Sequence, residues 1–263
     1  MEYGELVSNA NPEIRVEGLG VCYGRVQALD DVNCTFSAGI TGVLGPNGAG
    51  KSTLFNALTN VLTPSSGRIF RDGVLLDTPG AWRRHLERLG YLPQDPGWFD
   101  GFSVMELCLY MAGLRAVPAR QRRAAAEAAV ASVGLSKQSS TRLKALSGGM
   151  RRRAFLAQAI VHDPPVVLLD EPTSGLDPVQ RLHLRELLAE MGRQRAIVLS
   201  THLVEDVAHI ASDILVLDRG HLVWSGTPER LAALGATADS DGLSAATPWE
   251  QGFMSVLSTG DET

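Results

Sequence analysis

The nine residues GPNGAGKST, at positions 45–53, have the glycine spacing and the lysine that a phosphate-binding loop requires. They follow the apolar run ITGVL and precede the leucine-rich LFNALTNVL, so the pattern is that of a strand, a loop and a helix. The glycines let backbone N–H groups surround the phosphates, and the helix N-terminus adds positive potential. The pattern predicts that Lys51 contacts the β- and γ-phosphates of a nucleotide and that Ser52 ligates Mg²⁺.

Lys51 is one of only three lysines among 24 basic residues. Because arginine is the usual cation of this chain, a lysine here indicates a site that needs a compact point charge. No Asp or Glu occurs between Gly39 and Val61 to oppose it. The alternative interpretation is a glycine-rich turn with an incidental lysine.

The segment VVLLDE, at 166–171, has the pattern of a buried strand that ends in two carboxylates. The strand would place Asp170 at the carboxyl-terminal edge of a sheet, where open α/β sheets bind ligands. We expect Asp170 to hold Mg²⁺ through water and Glu171 to orient or deprotonate an attacking water molecule. An acidic turn after a strand is the alternative.

His202 follows a second apolar run, AIVLST at 196–201. The helical pattern between the two runs has the length of a right-handed crossover, so residues 166–202 are predicted to form a βαβ unit. Both strands then end at the same edge, where His202 can donate to a γ-phosphate oxygen. A structural histidine is the alternative, and surface or packing roles are expected for His85, His162, His183, His209 and His221.

Composition limits the classes of function. The chain has 263 residues, 44% of them hydrophobic and 20% charged, with a formal net charge of −5, as in an ordinary globular protein. The acidic balance argues against broad nucleic-acid binding, so we interpret the arginine pairs and the triplet at 151–153 as solvated helical faces. The three cysteines are widely spaced, which predicts neither a disulfide framework nor a zinc site and indicates a reducing cytoplasm.

The remaining pattern outlines the elements and their boundaries. Short apolar strands begin at Ile14, a capping box SVME begins at Ser103, and Arg219-Gly220 separates two strands of a hairpin. Helices are predicted at about 52–62, 104–115, 119–133 and 149–162, and a helical subdomain at about 97–160. Residues 1–12 are predicted to be flexible, 13–235 to form the main domain, and 236–263 to form a linker and a short amphipathic helix.

LSGGM, at 146–150, completes a set of motifs that resembles the ATP-binding subunit of an ABC transporter from about Ile14 to the C-terminus. GPNGAGKST matches the family's Walker A motif, VVLLDE its Walker B motif and LSGGM its signature LSGGQ. SGLDP at 174–178 matches the D-loop and His202 the switch histidine.

Two further residues match the family singly: Gln94, in GYLPQD, is similar to the Q-loop glutamine, and Tyr23 to the aromatic residue that stacks on adenine. The resemblance implies ATP and Mg²⁺ as ligands, and a P-loop NTPase fold of class α/β. That fold has a mostly parallel core sheet, an N-terminal antiparallel β subdomain and an inserted helical subdomain. It implies catalytic roles for Glu171, His202 and Gln94 and Mg²⁺ contacts from Ser52, Gln94 and Asp170. The implied nucleotide-binding residues are Tyr23, Gly45, Pro46, Asn47, Gly48, Ala49, Gly50, Lys51, Ser52, Thr53, Ser147, Gly148, Gly149 and Asp177.

The resemblance also implies a head-to-tail homodimer or heterodimer in which the signature of one subunit faces the P-loop of the other. Ser147 and the N–H groups of Gly148 and Gly149, which open a helix, would bind the partner's γ-phosphate. Met150 replaces the usual glutamine and cannot make its two-sided hydrogen bonds.

No apolar run approaches the roughly 20 residues that span a bilayer, so we expect a separate transmembrane permease as partner. This protein is then expected to be peripheral, at the cytoplasmic face of the membrane. PQDPGWFDGFSVMELCLYMAGL and WEQGFMSVLSTGDE resemble ATPases of drug- or antibiotic-export permeases. Trp98 and Phe99 either contact a permease helix or pack within the subdomain. An importer subunit and a non-transport ABC ATPase are the alternatives, whereas a P-loop kinase or GTPase leaves LSGGM, SGLDP and His202 unexplained.

Overall fold

The computed structural model describes residues 12–97, 99–237 and 246–259. Within these ranges the chain forms an antiparallel sheet, a mixed and mostly parallel sheet, and a set of helices. The strands are β1 (Ile14–Tyr23), β2 (Val26–Phe36), β3 (Gly39–Leu44), β4 (Ser66–Arg71), β5 (Val74–Leu75), β6 (Leu89–Leu92), β7 (Val166–Asp170), β8 (Ala196–Thr201), β9 (Asp213–Asp218) and β10 (His221–Gly226). The α-helices are α1 (Lys51–Leu58), α2 (Pro79–Glu87), α3 (Val104–Leu114), α4 (Arg122–Ser132), α5 (Gly148–Ile160), α6 (Pro178–Gly192), α7 (Glu205–Ala208), α8 (Pro228–Thr237) and α9 (Pro248–Thr259).

The mixed sheet has the strand order β10-β9-β3-β8-β7-β6, and only β10 is antiparallel to its neighbour. Strands β7 and β8 are parallel neighbours joined by α6, which confirms the predicted βαβ unit. Every residue of β7 and β8 is buried, because helices and the second sheet cover both faces. Parallel pairing therefore brings the carboxyl ends of both strands to one edge.

The antiparallel sheet, in the order β2-β1-β4-β5, forms the N-terminal layer. Its buried residues share a core with α1 and with one face of the parallel strands. Along β7, Val166 and Leu168 point into this core, whereas Val167 and Leu169 point into the core that the helical segment also shares. This alternation shows that the parallel sheet separates two hydrophobic cores.

The helical segment at about 97–160 contains α3, α4 and α5, as the sequence pattern predicts. The predicted capping box is present: Ser103 N donates to Glu106 Oε2 at 2.7 Å, and Glu106 N donates to Ser103 Oγ at 3.2 Å. Helix α4 begins at Arg122, three residues later than predicted, because a turn closed by the Gln121 N–H and the Pro118 carbonyl precedes it. The predicted helices therefore exist with shifted ends.

The amphipathic C-terminal helix is α9, which packs on α8, α7 and the β9–β10 hairpin. Gly235 and Gly252 lie at the α8–α9 crossing, where an added Cβ would overlap backbone atoms of the other helix. The Trp249 ring meets the His209 ring edge-on, with 4.9 Å between centroids. The predicted boundary at 235 falls in the last turn of α8, whereas residues 1–11, 238–245 and 260–263 lie outside the described residues.

The β9–β10 hairpin turn has the conformation that the sequence predicts. Arg219 and Gly220 have φ angles of 46° and 88°, the left-handed pair typical of a two-residue hairpin turn. Cys22, Cys34 and Cys108 are all free thiols.

His85 lies in α2, where its side chain is 2% exposed and Nε2 is 2.9 Å from the Leu58 carbonyl oxygen. Burial lowers the pKa of His85 from 6.5 to about 4. In the unfolded chain the pKa is ordinary, so between these values the unfolded state binds a proton that the folded state does not.

We therefore predict that the free energy of unfolding falls as pH is lowered from about 6.5 towards 4, with His85 contributing on the order of 1–2 kcal/mol at pH 5. Urea denaturation at pH 7.5 and pH 5 should show a smaller loss for His85→Gln than for the unmodified protein. Equal pH dependence in the two proteins would contradict a buried, neutral His85.

Candidate functional site

The glycine-rich loop connects β3 to α1 at the carboxyl-terminal edge of the parallel sheet. Gly48 and Gly50 have φ angles of 84° and 105°, in the left-handed region that glycine adopts without strain. Gly45 is packed so closely against the Leu217 carbonyl that a Cβ would not fit. The loop residues Pro46, Asn47 and Gly48 are exposed, so the loop presents its backbone to solvent above the helix N-terminus.

Lys51 is the first residue of α1, and its side chain is 6% exposed. Its Nζ donates to the carbonyl oxygens of Gly45 at 2.6 Å and of Pro46 at 3.0 Å, and lies 3.7 Å from Glu171 Oε1. Burial lowers the pKa of Lys51, while the charges of Glu171 and Asp170 act in the opposite direction. The ammonium group is therefore held at the base of the loop, close to the predicted phosphate positions.

At the end of β7, Ser200 of β8 links the Asp170 carboxylate to the backbone N–H of Glu171. Ser200 Oγ donates to Asp170 Oδ1 at 2.5 Å and accepts from the Glu171 N–H at 2.9 Å. Glu171 has a φ of 48°, which turns the chain out of the sheet directly after the strand. Ser200 was not among the predicted site residues, although the βαβ register pairs it with Asp170.

Glu171 lies between a cation and an imidazole. Its side chain is 7% exposed, and His202 Nδ1 is 3.1 Å from Oε2 and 3.3 Å from Oε1. The His202 side chain is 46% exposed and faces solvent beyond the sheet edge. A carboxylate held in this way can orient a water molecule and accept its proton.

The loop borders a cleft of about 360 Å³, also lined by Ala28, Gln94 and Glu171. The donors that the sequence predicts for Mg²⁺ are Ser52, Gln94 and Asp170, all of which offer oxygen, as this cation requires. In the described ranges no cluster of three or more His, Cys, Asp or Glu could hold a metal. The oxygen donors are of the type that suits Mg²⁺, which commonly takes its remaining ligands from phosphates and water. Ser52 and Gln94 line the cleft, whereas Asp170 does not.

The signature residues do not line this cleft. Ser147 caps α5 by accepting from the Met150 N–H at 3.3 Å, and Ser147 and Gly148 are exposed. Gly148 lines a separate cleft of about 350 Å³, which Gln94 also borders. A single chain thus keeps the signature apart from its own phosphate loop.

The D-loop contacts the signature through α6. Asp177 caps α6 by accepting from the Gln180 N–H at 2.9 Å, and Gly149 packs so closely on the Gln180 side chain that a Cβ would lie 2.5 Å from its Oε1. Met150 packs partly against the helical core. This packing gives the thioether apolar neighbours.

Tyr23 and Phe99 do not line the cleft at the phosphate loop. Tyr23 ends β1 with 49% of its surface exposed and does not line the cleft that Ala28 lines. Phe99 meets Phe102 edge-on, with 5.8 Å between ring centroids, and therefore packs within the helical segment. Trp98 lies outside the described residues.

The interpretation of the arginine triplet as a solvated face is wrong for Arg152, which is 9% exposed. Its guanidinium donates to the carbonyl oxygens of Gln94, Asp170, Glu171 and Pro172. The helical period could have revealed this, because residue 152 lies on the same face of α5 as the buried residues three and four positions later.

The other histidines pack or face solvent, as expected. His162 Nε2 lies 3.2 Å from the Leu89 carbonyl oxygen, whereas His183 and His221 are exposed.

The family model described as ABC transporter matches residues 29–174, more than half of the chain. The chain belongs to the ABC transporter family. This ABC protein is 33% identical over 233 residues to the Nod factor export ATP-binding protein I of Rhizobium meliloti, with 86% of this chain and 68% of that protein covered. It is 37% identical over 207 residues to an uncharacterized ABC transporter ATP-binding protein of Synechocystis sp., with 77% of this chain covered but only 57% of that protein.

Solved structures give the same result for the fold. The cbiO1 protein of Clostridium perfringens, described as part of the ABC transporter complex cbiONQ, superposes with a TM-score of 0.75 at 31% identity, covering 84% of this chain and 90% of that one. The ATP-binding cassette MJ0796, described as a dimer bound to ADP and Pi, superposes with a TM-score of 0.74 at 21% identity over 82% of this chain and 98% of that one. The resemblance and the fold class that the motifs predict are confirmed. Among the described residues, no helix has the length and apolar character to cross a bilayer.

We predict that Ser200→Ala lowers the free energy of unfolding by about 1–3 kcal/mol, because it leaves a buried carboxylate and a buried N–H without their shared partner. Urea denaturation measures this loss. Ser132→Ala is the matched control, since Ser132 is exposed and its Oγ donates to the Ala129 carbonyl at the end of α4. It should change stability by less than about 0.5 kcal/mol. Equal effects of the two variants would contradict the bridging role of Ser200.

Proposed function

We propose that this ABC protein is the ATP-hydrolysing subunit of a transporter, which binds two ATP molecules in a head-to-tail dimer and drives a separate membrane permease. The observation that carries the proposal is the buried carboxylate of Glu171. It lies 3.7 Å from Lys51 Nζ at the phosphate loop and 3.1 Å from His202 Nδ1 at the solvent edge. This arrangement fits a carboxylate that acts on water beside a bound γ-phosphate.

In the proposed mechanism the backbone N–H groups of the loop and the Lys51 ammonium bind the β- and γ-phosphates. Glu171 orients the attacking water and accepts its proton, while His202 contacts the γ-phosphate. When bound with the nucleotide, Mg²⁺ would be held by Ser52, Gln94 and Asp170 and would neutralise phosphate charge. The exposed ring of Tyr23 gives the adenine base a surface on which to stack.

The second subunit completes each site in this proposal. Ser147 and Gly148 are exposed at the N-terminus of α5 and lie outside their own chain's phosphate cleft, so they are free to bind the γ-phosphate held by another chain. Gln180 connects Gly149 and Asp177: Gly149 packs on its side chain, and Asp177 accepts a hydrogen bond from its N–H. The partner is a second copy or another ABC ATPase subunit.

We assign the protein to the cytoplasmic face of the membrane and to the export of a drug-like, antibiotic or lipid-like substrate. The similarity to a Nod factor export protein supports this direction. An importer subunit is the second candidate, because the same hydrolytic residues would serve either direction of transport. A coding sequence for a substrate-binding protein beside that of this chain would favour import, and a permease without one would favour export.

We predict that Glu171→Gln lowers the turnover number for ATP about a hundredfold or more and traps an ATP-bound dimer, because glutamine cannot accept the proton of water. Steady-state phosphate release and size-exclusion chromatography in Mg-ATP measure the two effects. The unmodified protein in Mg-ADP is the control and should elute as a smaller species. Unaltered turnover with only monomer present would remove Glu171 from this role.

A mixing experiment tests whether the sites are shared between subunits. We predict that Ser147→Arg leaves ATP binding to the monomer within about threefold of normal but abolishes turnover, since the side chain blocks the partner's phosphate. Mixed with Lys51→Ala protein, it should recover part of the activity, because one composite site of the heterodimer is intact. If heterodimers form but hydrolyse no ATP at any mixing ratio, the model of sites shared between subunits, with one intact site sufficient for activity, is contradicted.

A further inference from the structure

Arg152 is the residue through which the signature helix α5 contacts both the Walker B segment and the Q-loop. Its Nε donates to the Pro172 carbonyl at 3.0 Å, and its Nη2 donates to those of Asp170 at 2.9 Å and Glu171 at 2.5 Å. Its Nη1 donates to the Gln94 carbonyl at 3.2 Å. One buried guanidinium therefore bonds to three consecutive backbone carbonyls and to a fourth from a distant loop.

The conformation of Glu171 explains why these carbonyls converge. The residue has a φ of 48°, a region that non-glycine residues rarely adopt and that persists only where surrounding contacts stabilise it. The turn points the carbonyls at 170–172 towards α5, while the Glu171 side chain points towards Lys51 and His202. The bonds from Arg152 are thus placed to stabilise the backbone that aims the carboxylate.

We propose that Arg152 is a positioning residue for ATP hydrolysis: it holds Glu171 and Gln94 in a fixed relation to the signature helix. The inference rests on the proposed function for its effect on turnover. A planar guanidinium with five N–H donors can serve four carbonyls at once, whereas a lysine ammonium has only three donors. Because α5 begins next to Ser147, the same bonds join the N-terminus of the signature helix to the backbone of Glu171.

The next residue of the same helix provides a matched control. Arg153 is half-buried, and its Nη1 donates to the Val133 carbonyl at 3.0 Å inside the helical segment. Arg153→Met therefore removes a guanidinium–carbonyl bond from α5 without touching Gln94 or residues 170–172.

The test compares Arg152→Met, Arg152→Lys and Arg153→Met in the full chain. We expect Arg152→Met to lower kcat for ATP about tenfold or more, with KM and the Kd of a fluorescent ATP analogue within about threefold of normal, because misplacing a reacting group costs rate rather than binding. Arg152→Lys should recover part of the lost kcat, and Arg153→Met should keep kcat within about twofold. Amide hydrogen exchange should rise at 92–97 and 170–174 in Arg152→Met alone.

The proposal is overturned if Arg152→Met keeps a normal kcat, or if both methionine variants lose activity in proportion to their loss of Tm. If Arg152→Met does not fold, Arg152→Lys decides, and normal kcat and exchange in that variant overturn the proposal. Absence of ATP hydrolysis by the unmodified protein would count against the proposed function. Even then, the comparison of amide hydrogen exchange between the variants would decide whether Arg152 stabilises the segments 92–97 and 170–174.

Discussion

Asp170 and Ser200 face each other at the ends of the parallel strands β7 and β8, and the arrangement of the site depends on this register. Successive side chains of a strand point to opposite faces, so a slip of one residue would turn the Asp170 carboxylate away from the Ser200 hydroxyl. The same slip would remove the acceptor for the Glu171 N–H. Both faces of these strands are buried and apolar, so the hydrophobic pattern alone does not distinguish one register from the next. The short crossover through α6 and the polar pair at the strand ends therefore define the register.

The charges around Glu171 are effective because they are buried. Lys51 and the Glu171 carboxylate are both less than a tenth exposed, and in such surroundings Coulomb interactions are less screened than in water. These three buried charges of the site have partners: Lys51 bonds to two carbonyls, Asp170 to a hydroxyl and Arg152 to four carbonyls. This network makes the end of β7 rigid on the protein side and leaves His202 as the solvent-facing group.

Sequence reasoning located Asp170, Glu171 and His202 because each stands at or just after the end of an apolar run, where strand direction determines the position. It located Lys51 from the glycine spacing of the phosphate loop. It could not locate Ser200, since a single hydroxyl inside a buried strand has no spacing pattern and its partner comes from another strand. Arg152 was misjudged for a different reason. In an acidic chain an arginine run is typical of a solvated face, and the inward direction follows only from the helical period.

The helix boundaries and the C-terminal helix illustrate a second limit. The amphipathic pattern indicated that α9 needs a surface to pack on, but not that two glycines would bring it against the backbone of α8. Close approach of this kind depends on which helices meet in three dimensions, and local propensity carries no information about it. The capping box of α3, by contrast, joins residues only three positions apart, so the sequence predicts it directly.

The separation of the signature residues from the phosphate cleft within one chain has a consequence for mass action. In the proposed assembly no subunit holds a whole catalytic unit, so the number of working sites scales with the square of subunit concentration when the chains are dilute. A permease that holds two subunits side by side would convert this second-order encounter into an effectively first-order one. The permease would then control the rate of ATP hydrolysis through the local concentration of ATPase subunits, without any change in the residues that hydrolyse ATP.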